Sequence, residues 1–292
     1  MINNIAYYPE QCALNSKPIM EAFLNSCRAA GITPVENGHD CDAVVIWSIL
    51  WNGRMSKNKR TYEHYSSLGK PVLVIDVGAL EREVTWKIAV NNISSEGYYG
   101  HTENLDWDRP KKLGIELQQP VSGDSILIAG QHNKSLQWEG MPSLENWTLQ
   151  TISKVRKYTD RTIVVRYHPR CLPFIPHHRF NMFAQQHNLQ NVTQEIPGIM
   201  HGSYDMFDIA YNFHCVINHC SGPGINAVIS GSNVLVDKKS LASPMSIKLN
   251  QIENPPQKRN KDKWLVEISH TEYTVDEINN GLWLTRLKNA LE

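Results

Sequence analysis

Apolar residues in the first half of the chain form short runs separated by amphipathic segments. The amphipathic segments 16–30 and 57–68 end at Gly31 and Gly69, which is typical of helices. The apolar runs are short and rich in β-branched residues, so they predict buried strands. Strands that alternate with helices favour a parallel sheet covered on both faces. The predicted strands are residues 4–8, 43–48 and 71–76.

The pattern stops between residues 97 and 122, where Pro110, Gly114 and Pro120 interrupt the sequence, and it then starts again. Predicted strands of the second half are residues 125–129, 162–165, 192–193, 215–217 and 233–237, and predicted helices are 143–159, 178–187, a short one from 204, and one between the last two strands. The last segment, 274–290, is amphipathic and reads as one helix. Thr274 is its expected N-cap and Glu277 completes a capping box.

The fold class predicted from this pattern is α/β, with two doubly wound Rossmann-like domains that face a central cleft. The C-terminal helix is expected to pack across them. We predict a first domain over residues 1–118, a second over 119–270, and a C-terminal helix over 271–292 that returns towards the first domain. Ligands of such paired domains normally bind in the cleft between them.

Composition narrows the range of functions. The chain has 292 residues, 41% of them hydrophobic and 20% charged, which is typical of globular proteins and excludes wholesale disorder. Its formal net charge is zero, so contact with nucleic acid would need a local basic patch. The six cysteines lack the paired spacing of a zinc site, and no secretory signal precedes them, so we expect reduced thiols and no metal. No apolar run reaches the roughly twenty residues of a membrane span.

One motif stands out in the second half. Residues 218–231 read Asn-His-Cys-Ser-Gly-Pro-Gly-Ile-Asn-Ala-Val-Ile-Ser-Gly and lead from a predicted strand through a glycine-rich turn into a short helix. Backbone N–H groups at such a turn, at the positive end of a helix dipole, suit a phosphate.

Polar groups also follow two other strands of the same half. Arg166 and His168 follow one strand, and the loop 130–135 (Gly-Gln-His-Asn-Lys-Ser) follows another. Parallel strands would bring these ends to one crevice. Taken alone, the loop is also explained as an ordinary strand-to-helix connection, and Arg166 and His168 as residues that cap the next turn. There is no GxGxxG after the first strand of either half and no GxxxxGK[ST], which argues against a dinucleotide cofactor and a P-loop ATPase.

The second half resembles the nucleotide-sugar glycosyltransferases with two Rossmann-like domains (GT-B type), and in particular the capsular-polysaccharide and Kdo transferases. The similarity lies in the stretches 128–131, 164–169, 218–227 and 231–236 and in the tail 273–283. In the first half, residues 75–82 resemble that family's acidic-Gly-aromatic-Leu-Arg turn. Ala79 stands where an aromatic residue is usual, and Asp76-Val77 replaces a paired acid.

The resemblance implies a first domain that binds the acceptor and a second that binds the sugar donor. It implies a transferase that is inverting and metal-independent, with no cofactor and with a nucleotide sugar, UDP-linked in our prediction, as co-substrate. Asp76 is the predicted general base because it ends a buried strand, with Glu10 and His132 in reserve. Each of the three is also explained as an ordinary capping or loop residue. The predicted donor-binding residues are Gln131, Asn133, Arg166, His168, Ser221, Gly222, Pro223, Gly224 and Asn226.

The acceptor is predicted from a loop that mixes aromatic and basic residues after the strand 43–48. Cations there could contact phosphates while an apolar side chain separates stacked bases. The sequence also resembles, in its compact size, the phage enzymes that glycosylate hydroxymethylated bases in DNA, which must flip the base out. We therefore expect a hydroxymethylated pyrimidine such as hydroxymethylcytosine in double-stranded DNA as acceptor, and a location in the cytoplasm, the host's if phage-encoded. The predicted acceptor-binding residues are Trp51, Arg54, Lys57, Lys59, Arg60 and Arg82, and a second basic run is 258–263.

Other functions stay open on the sequence. The acceptor could be a surface or capsular glycan, and the basic loop could be a buried Trp followed by a solvated helix face. A non-hydrolysing sugar-nucleotide epimerase has the same architecture but needs more carboxylates in the cleft. A non-catalytic nucleotide-sugar or nucleic-acid binding module is the third alternative.

Overall fold

The computed structural model describes residues 2–120, 123–168, 171, 180–195, 199–200, 203–204, 212–256 and 260–292. The chain divides into two compact units. The first unit comprises Met1–Ile115, Lys134–Gln137 and Leu265–Glu292, and the second comprises Glu116–Asn133 and Trp138–Trp264. The predicted boundaries after residues 118 and 270 stay predictions.

The first unit is built on a six-stranded sheet. Its strands are β1 (Asn4–Tyr7), β2 (Thr33–Glu36), β3 (Ala43–Trp47), β4 (Val72–Val77), β5 (Trp86–Val90) and β13 (Glu272–Tyr273). They lie in the order β13-β5-β4-β3-β1-β2. The pairs β2–β1, β1–β3 and β3–β4 are parallel, whereas β5 is antiparallel to both β4 and β13.

Helices cover both faces of this sheet. The helices are α1 (Lys17–Ala29), α2 (Asn58–Ser67), α3 (Arg109–Lys112), α8 (Val275–Asn279) and α9 (Leu282–Leu287). On one face α1, α8 and α9 bury an apolar cluster in which the rings of Phe23 and Trp283 stack with centroids 4.5 Å apart. On the other face Tyr65 of α2 packs into a second cluster with Val44, Ile46 and Val74. Both faces are therefore buried, as the apolar runs predicted.

The structure corrects two predictions in this unit. The strands β2, β5 and β13 were not predicted, and β5 and β13 make the sheet mixed. The predicted single C-terminal helix is interrupted at Gly281, which has a φ of 73° and separates α8 from α9. The predicted capping box is confirmed, because Thr274 accepts from the N–H of Glu277 and the Glu277 carboxylate accepts from the N–H of Thr274.

The second unit contains a five-stranded sheet that is entirely parallel. Its strands are β6 (Ile126–Ala129), β7 (Ile163–Arg166), β8 (Val192–Glu195), β11 (Cys215–Asn218) and β12 (Asn233–Val236). Their order, β12-β11-β6-β7-β8, is doubly wound, because the chain begins in the middle strand and builds outward in both directions. The helices are α4 (Leu144–Val155), α5 (Phe180–Gln186) and α6 (Gly222–Ile229), and α7 (Lys261–Ser269) leads back into the first unit.

The short helix predicted from residue 204 is wrong at its first residue. Ser203–Tyr204 forms a strand, β10, that pairs antiparallel with β9 (Ile199–Met200). Residues 205–211 lie outside the described part of the chain, as do Pro169, Arg170, Lys258 and Arg259 from the predicted motifs. In the described part, no helix is long and apolar enough to cross a membrane.

Candidate functional site

Strand register aligns the candidate groups of the second unit at one edge of its sheet. Ala129 at the end of β6 pairs with Arg166 at the end of β7 and with Asn218 at the end of β11. Arg166 in turn pairs with Glu195 at the end of β8. All these strands are parallel, so the polar groups that end or follow them lie along one carboxyl edge. This is the edge at which open α/β sheets bind ligands.

Asn218 fixes the glycine-rich turn at this edge. Its amide nitrogen donates to the carbonyl of Ala129 at 2.7 Å, and its amide oxygen accepts from the N–H of Ser221 at 2.8 Å. The hydroxyl of Ser221 is 3.0 Å from the amide nitrogen of Asn218. These hydrogen bonds thus attach the turn to β6 just before α6 begins at Gly222. This geometry is suited to an anion, because it holds the first turn of α6 in place without a charged protein group.

The predicted donor-binding residues in and after this turn lie close to the sheet. Pro223 and Gly224 are buried, and Ser221, Gly222 and Asn226 are half-buried. A Cβ atom on Gly224 would lie 3.0 Å from Cγ1 of Val236, so glycine allows α6 to pack tightly on β12. The resulting close approach places the start of α6 directly at the edge of the sheet.

Arg166 is the buried cation of this edge. Only 1% of it is exposed. Its Nε and Nη2 donate to Oε2 of Glu195 at 3.0 and 2.7 Å, and its guanidinium lies 5.6 Å from the ring centre of Phe213. Within the described residues Nη1 has no hydrogen-bond partner. A buried guanidinium with an unused N–H is equipped to receive a further anionic oxygen.

Two histidines lie beside each other in the same unit. The rings of His132 and His168 have centroids 5.3 Å apart at an interplanar angle of 66°. Gln131 is buried, and its side-chain oxygen accepts from the N–H of Cys220 at 3.0 Å, which ties the loop after β6 to the turn after β11. Asn133 is exposed and accepts from the thiol of Cys171 at 3.4 Å. Gln131, His132, Arg166, His168 and the turn are therefore assembled in one unit.

A cavity of about 340 Å³ lies against the same unit. Its walls are formed by α4, including Trp147 and Lys154, and by the ends of β11 and β12, including His219 and Asp237. That volume is in the range of small-molecule sites.

Asp76 occupies the carboxyl end of β4 in the first unit. Its Oδ2 accepts from the hydroxyl of Ser48 at 2.8 Å, and its Oδ1 accepts from the N–H of Val77 at 2.7 Å. Asp76 is half-buried, and its partial removal from water raises the pKa of its carboxyl group above the ordinary value. The hydrogen bond from Ser48 and the charge of Lys87 lower that pKa. A carboxylate with a raised pKa is better suited to accept a proton than an ordinary one.

A buried ion pair lies next to Asp76. Glu272 is fully buried in β13, and its Oε1 is 3.4 Å from Nζ of Lys87, the residue opposite Asp76 in β5. The Glu272 carboxylate also accepts from the N–H groups of Ala79 and Leu80 and from the hydroxyl of Thr85. This network fixes the turn that follows Asp76.

The other predicted residues of the first unit are at its surface. Glu10 is 88% exposed in its side chain and lies 3.7 Å from Nη2 of Arg54. Lys59 lies 3.8 Å from Glu63 one helical turn away. Trp51 is half-buried, and its ring contacts Tyr62 of α2 with centroids 5.8 Å apart. Lys57 and Arg60 are exposed, and Arg82 is half-buried in the turn after β4.

Sequence reasoning missed Ser48, Lys87 and Glu272, and it quoted Asn218 only within a motif. Ser48 carried a usable signal, because it directly follows a buried strand of the same sheet as Asp76. Lys87 and Glu272 carried none, since they come together across 185 residues of chain. Among the described residues, no group of three or more His, Cys, Asp or Glu side chains could hold a metal ion.

No family model and no curated protein matches this sequence. Two solved structures from Thermosulfurimonas dismutans are similar to it in fold. The first, KpsC beta Kdo 2,4 transferase, has a TM-score of 0.56 and 12% identity and covers 96% of this chain and 98% of its own. The second, KpsC beta Kdo 2,7 transferase, has a TM-score of 0.53 and 12% identity, with coverages of 98% and 99%. The likeness is one of fold, and it confirms the predicted GT-B-type pair of Rossmann-like domains and the resemblance, in fold, to Kdo transferases.

Proposed function

We propose that this protein is a glycosyltransferase that moves a sugar from a nucleotide-sugar donor to a hydroxyl acceptor. The observation that carries the proposal is the turn from Asn218 to Gly224, which opens α6 at the same sheet edge as the buried Arg166, two strands away. A nucleotide sugar carries its negative charge on phosphate, and this edge offers a helix N-terminus together with a cation. The GT-B fold supports the proposal because it pairs such an edge with a second Rossmann-like domain.

In the proposed reaction Asp76 takes the proton of the acceptor hydroxyl. The acceptor oxygen then forms a bond to the anomeric carbon of the donor sugar, and the bond from that carbon to the nucleotide phosphate breaks. The nucleotide leaves with the bonding electrons. Arg166, His168 and the turn at the start of α6 stabilise its charge without a metal ion, as preorganised hydrogen-bond donors do at developing oxyanions. Single displacement of this kind inverts the configuration at the anomeric carbon.

For the donor we propose a nucleoside diphosphate sugar, with UDP as the first nucleotide to test. Its nucleoside is proposed to enter the cavity between α4 and the ends of β11 and β12, next to the turn. Trp147 gives this cavity an aromatic wall.

For the acceptor we propose a carbohydrate hydroxyl, as in the assembly of a surface glycan. The two structures of similar fold from Thermosulfurimonas dismutans are Kdo transferases. DNA with a hydroxymethylated pyrimidine is the second candidate, and it rests on the basic loop after β3. Two cations of that loop, Arg54 and Lys59, lie near the carboxylates of Glu10 and Glu63, which reduces their attraction for phosphate.

A donor-consumption screen tests the proposal. The protein is incubated with a panel of nucleotide sugars and, in separate reactions, with oligosaccharides, unmodified DNA and DNA containing hydroxymethylcytosine. Products are analysed by mass spectrometry. A mass gain of one sugar on an oligosaccharide supports the carbohydrate acceptor, and a gain on modified DNA alone moves the acceptor to DNA. Neither donor consumption nor donor binding across the panel would overturn the transferase and favour a binding module for another ligand.

A further inference from the structure

Ser48 has an unusual backbone for a serine. It directly follows β3, and only 5% of it is exposed. Its φ is 63°, in the left-handed region that residues other than glycine, asparagine and aspartate seldom adopt. Holding a residue there costs free energy, and such positions cluster at functional sites. The surrounding structure must therefore enforce this conformation.

Three hydrogen bonds hold Ser48 against Asp76. The N–H of Ser48 donates to the carbonyl of Ile75 at 2.7 Å, which continues the β3–β4 ladder by one residue. The N–H of Leu50 donates to the Ser48 hydroxyl oxygen at 3.1 Å. This leaves the hydroxyl proton for Oδ2 of Asp76, at 2.8 Å. The left-handed turn thus aims the hydroxyl at one oxygen of the carboxylate.

The second oxygen of Asp76 is fixed from another direction. Oδ1 accepts from the N–H of Val77 at 2.7 Å, so each carboxylate oxygen has one partner and the plane of the group is defined. Lys87 of β5, Glu272 of β13 and the buried Tyr99 are the charged or titratable groups around it. The positive charge of Lys87 lowers the pKa of Asp76, and the negative charge of Glu272 raises it. Among the residues that the structure describes, Ser48 is the one whose side chain donates a hydrogen bond to Asp76.

We propose that Ser48 is a positioning residue for the reaction of Asp76, because its hydroxyl fixes the carboxylate in the orientation in which it meets the acceptor hydroxyl. This inference rests on the proposed function, in which Asp76 is the general base. Ser48 does not itself exchange a proton with the acceptor. Its effect is to keep Asp76 ionised and in one orientation.

The test uses Ser48→Gly, which permits the same φ and removes the hydroxyl, so the backbone is kept while the hydrogen bond is lost. Ser48→Asn is a second variant, since asparagine tolerates the left-handed region and can donate a hydrogen bond. The matched control is Ser269→Ala. Ser269 is also buried, and its hydroxyl donates to the carbonyl of Val266 away from Asp76.

Two measurements separate the inference from the proposed function. The first is the titration of the Asp76 carboxyl carbon by NMR in the full chain, assigned with Asp76→Asn, which requires no substrate. The second, with a donor and acceptor from the screen, is the pH dependence of kcat/KM. Loss of one hydrogen bond to a carboxylate raises its pKa by about one unit. We therefore expect both the titration midpoint and the acidic limb of the rate profile to rise by about one pH unit in Ser48→Gly. We also expect a fall in kcat of about tenfold with an unchanged KM for the donor.

An unchanged Asp76 titration in Ser48→Gly, with Ser269→Ala also unchanged, would overturn the inference. A shifted titration with an unshifted rate profile would overturn it too, because Ser48 would then not act on the reaction through Asp76. If the titration shifts but no donor on the panel is bound or consumed, the contact stands and the proposed function fails. Recovery of both midpoints towards wild type in Ser48→Asn would support positioning.

Discussion

The carboxyl edges of the two sheets hold their polar groups in different ways. In the first unit charged side chains are buried together, with Asp76 beside the Lys87–Glu272 pair. In the second unit neutral amides hold the turn, since Asn218 links the N–H of Ser221 to the carbonyl of Ala129 and Gln131 accepts from the N–H of Cys220. The buried charge there, Arg166, pairs with the half-exposed Glu195.

The difference matches two tasks. In the first unit burial raises the pKa of Asp76 and the hydrogen bonds from Ser48 and Val77 lower it, so the site adjusts the proton affinity of the proposed general base. An edge held by amides keeps backbone N–H groups in place without supplying a competing anion within the turn. Under the proposed function, the edge of the first unit takes the proton and the edge of the second unit holds the leaving phosphate.

The largest effect on stability is expected from removing the cation of the first unit. Lys87→Met leaves the Glu272 carboxylate buried without its cation, and breaking such a pair costs about 3–5 kcal/mol. Denaturant unfolding measures the loss. Lys70→Met is the control, because Lys70 pairs with the exposed Asp40 and its loss should cost less than about 1 kcal/mol. Equal losses for the two variants would contradict the buried network.

The next effect is a pH dependence that arises in the first unit. The N–H of Asp106 donates to Nε2 of His270, so Nδ1 carries the proton that bonds the carbonyl of Val266. Burial lowers the pKa of His270 from 6.5 to about 4. Below pH 6.5 the unfolded chain binds a proton that the folded chain does not, so stability should fall from pH 6.5 down to about 4. We expect up to about 3 kcal/mol to be lost over that window.

Urea unfolding at a series of pH values measures this dependence. His270→Gln lacks the titrating ring, so its stability should vary less between pH 6.5 and 4 than that of the wild type. A wild-type curve as flat as the variant's in that window would show that His270 is not held neutral.

A smaller effect is expected from removing the Asn218 amide, which holds the glycine-rich turn of the second unit. Asn218→Ala leaves the carbonyl of Ala129 and the N–H of Ser221 without their side-chain partner, at a cost of about 1–3 kcal/mol. Donor affinity measured by calorimetry should fall as well, because the turn is no longer held. Asn233→Ala is a matched control, since its amide donates to the carbonyl of His214 away from the turn. A variant at Asn218 that binds donor as tightly as this control would place the donor elsewhere.

The smallest effect is expected from the exposed charges of the basic loop. Arg54→Gln removes a surface ion pair with Glu10, so it should change the free energy of unfolding by less than about 1 kcal/mol. Added salt should make wild type and variant converge. A loss comparable to that of Lys87→Met would mean that the charged network of the first unit extends to its surface.

The sequence predicted the parts of the fold that local pattern determines. Short apolar runs identified β1, β3, β4, β6, β7, β11 and β12, because the apolar residues of these strands are buried or half-buried. The strand β5 was missed because Lys87 lies within it, and a buried lysine becomes reasonable only once Glu272 is known to face it. The break at Gly281 was missed because the apolar pattern continues through it.

The candidate site divides in the same way. Arg166 and the turn at 221–224 were predicted because strand, turn and helix are consecutive in sequence. The residues that surround Asp76 were not predicted, because they come from three other strands or strand ends. These residues are Ser48, Lys87 and Glu272. Trp51 was predicted to bind the acceptor, and that stays a prediction; in the structure its ring lies against Tyr62 of α2.

The most direct test of the division between the two edges compares donor binding with sugar transfer in Asp76→Asn. The account predicts a donor affinity equal to wild type, measured by calorimetry, and a rate of transfer lower by about 10²–10⁴-fold. Normal affinity with little transfer would assign the proton to the first unit and the donor to the second. A variant that transfers sugar at the wild-type rate would contradict the account, because the proton would then be taken by another group.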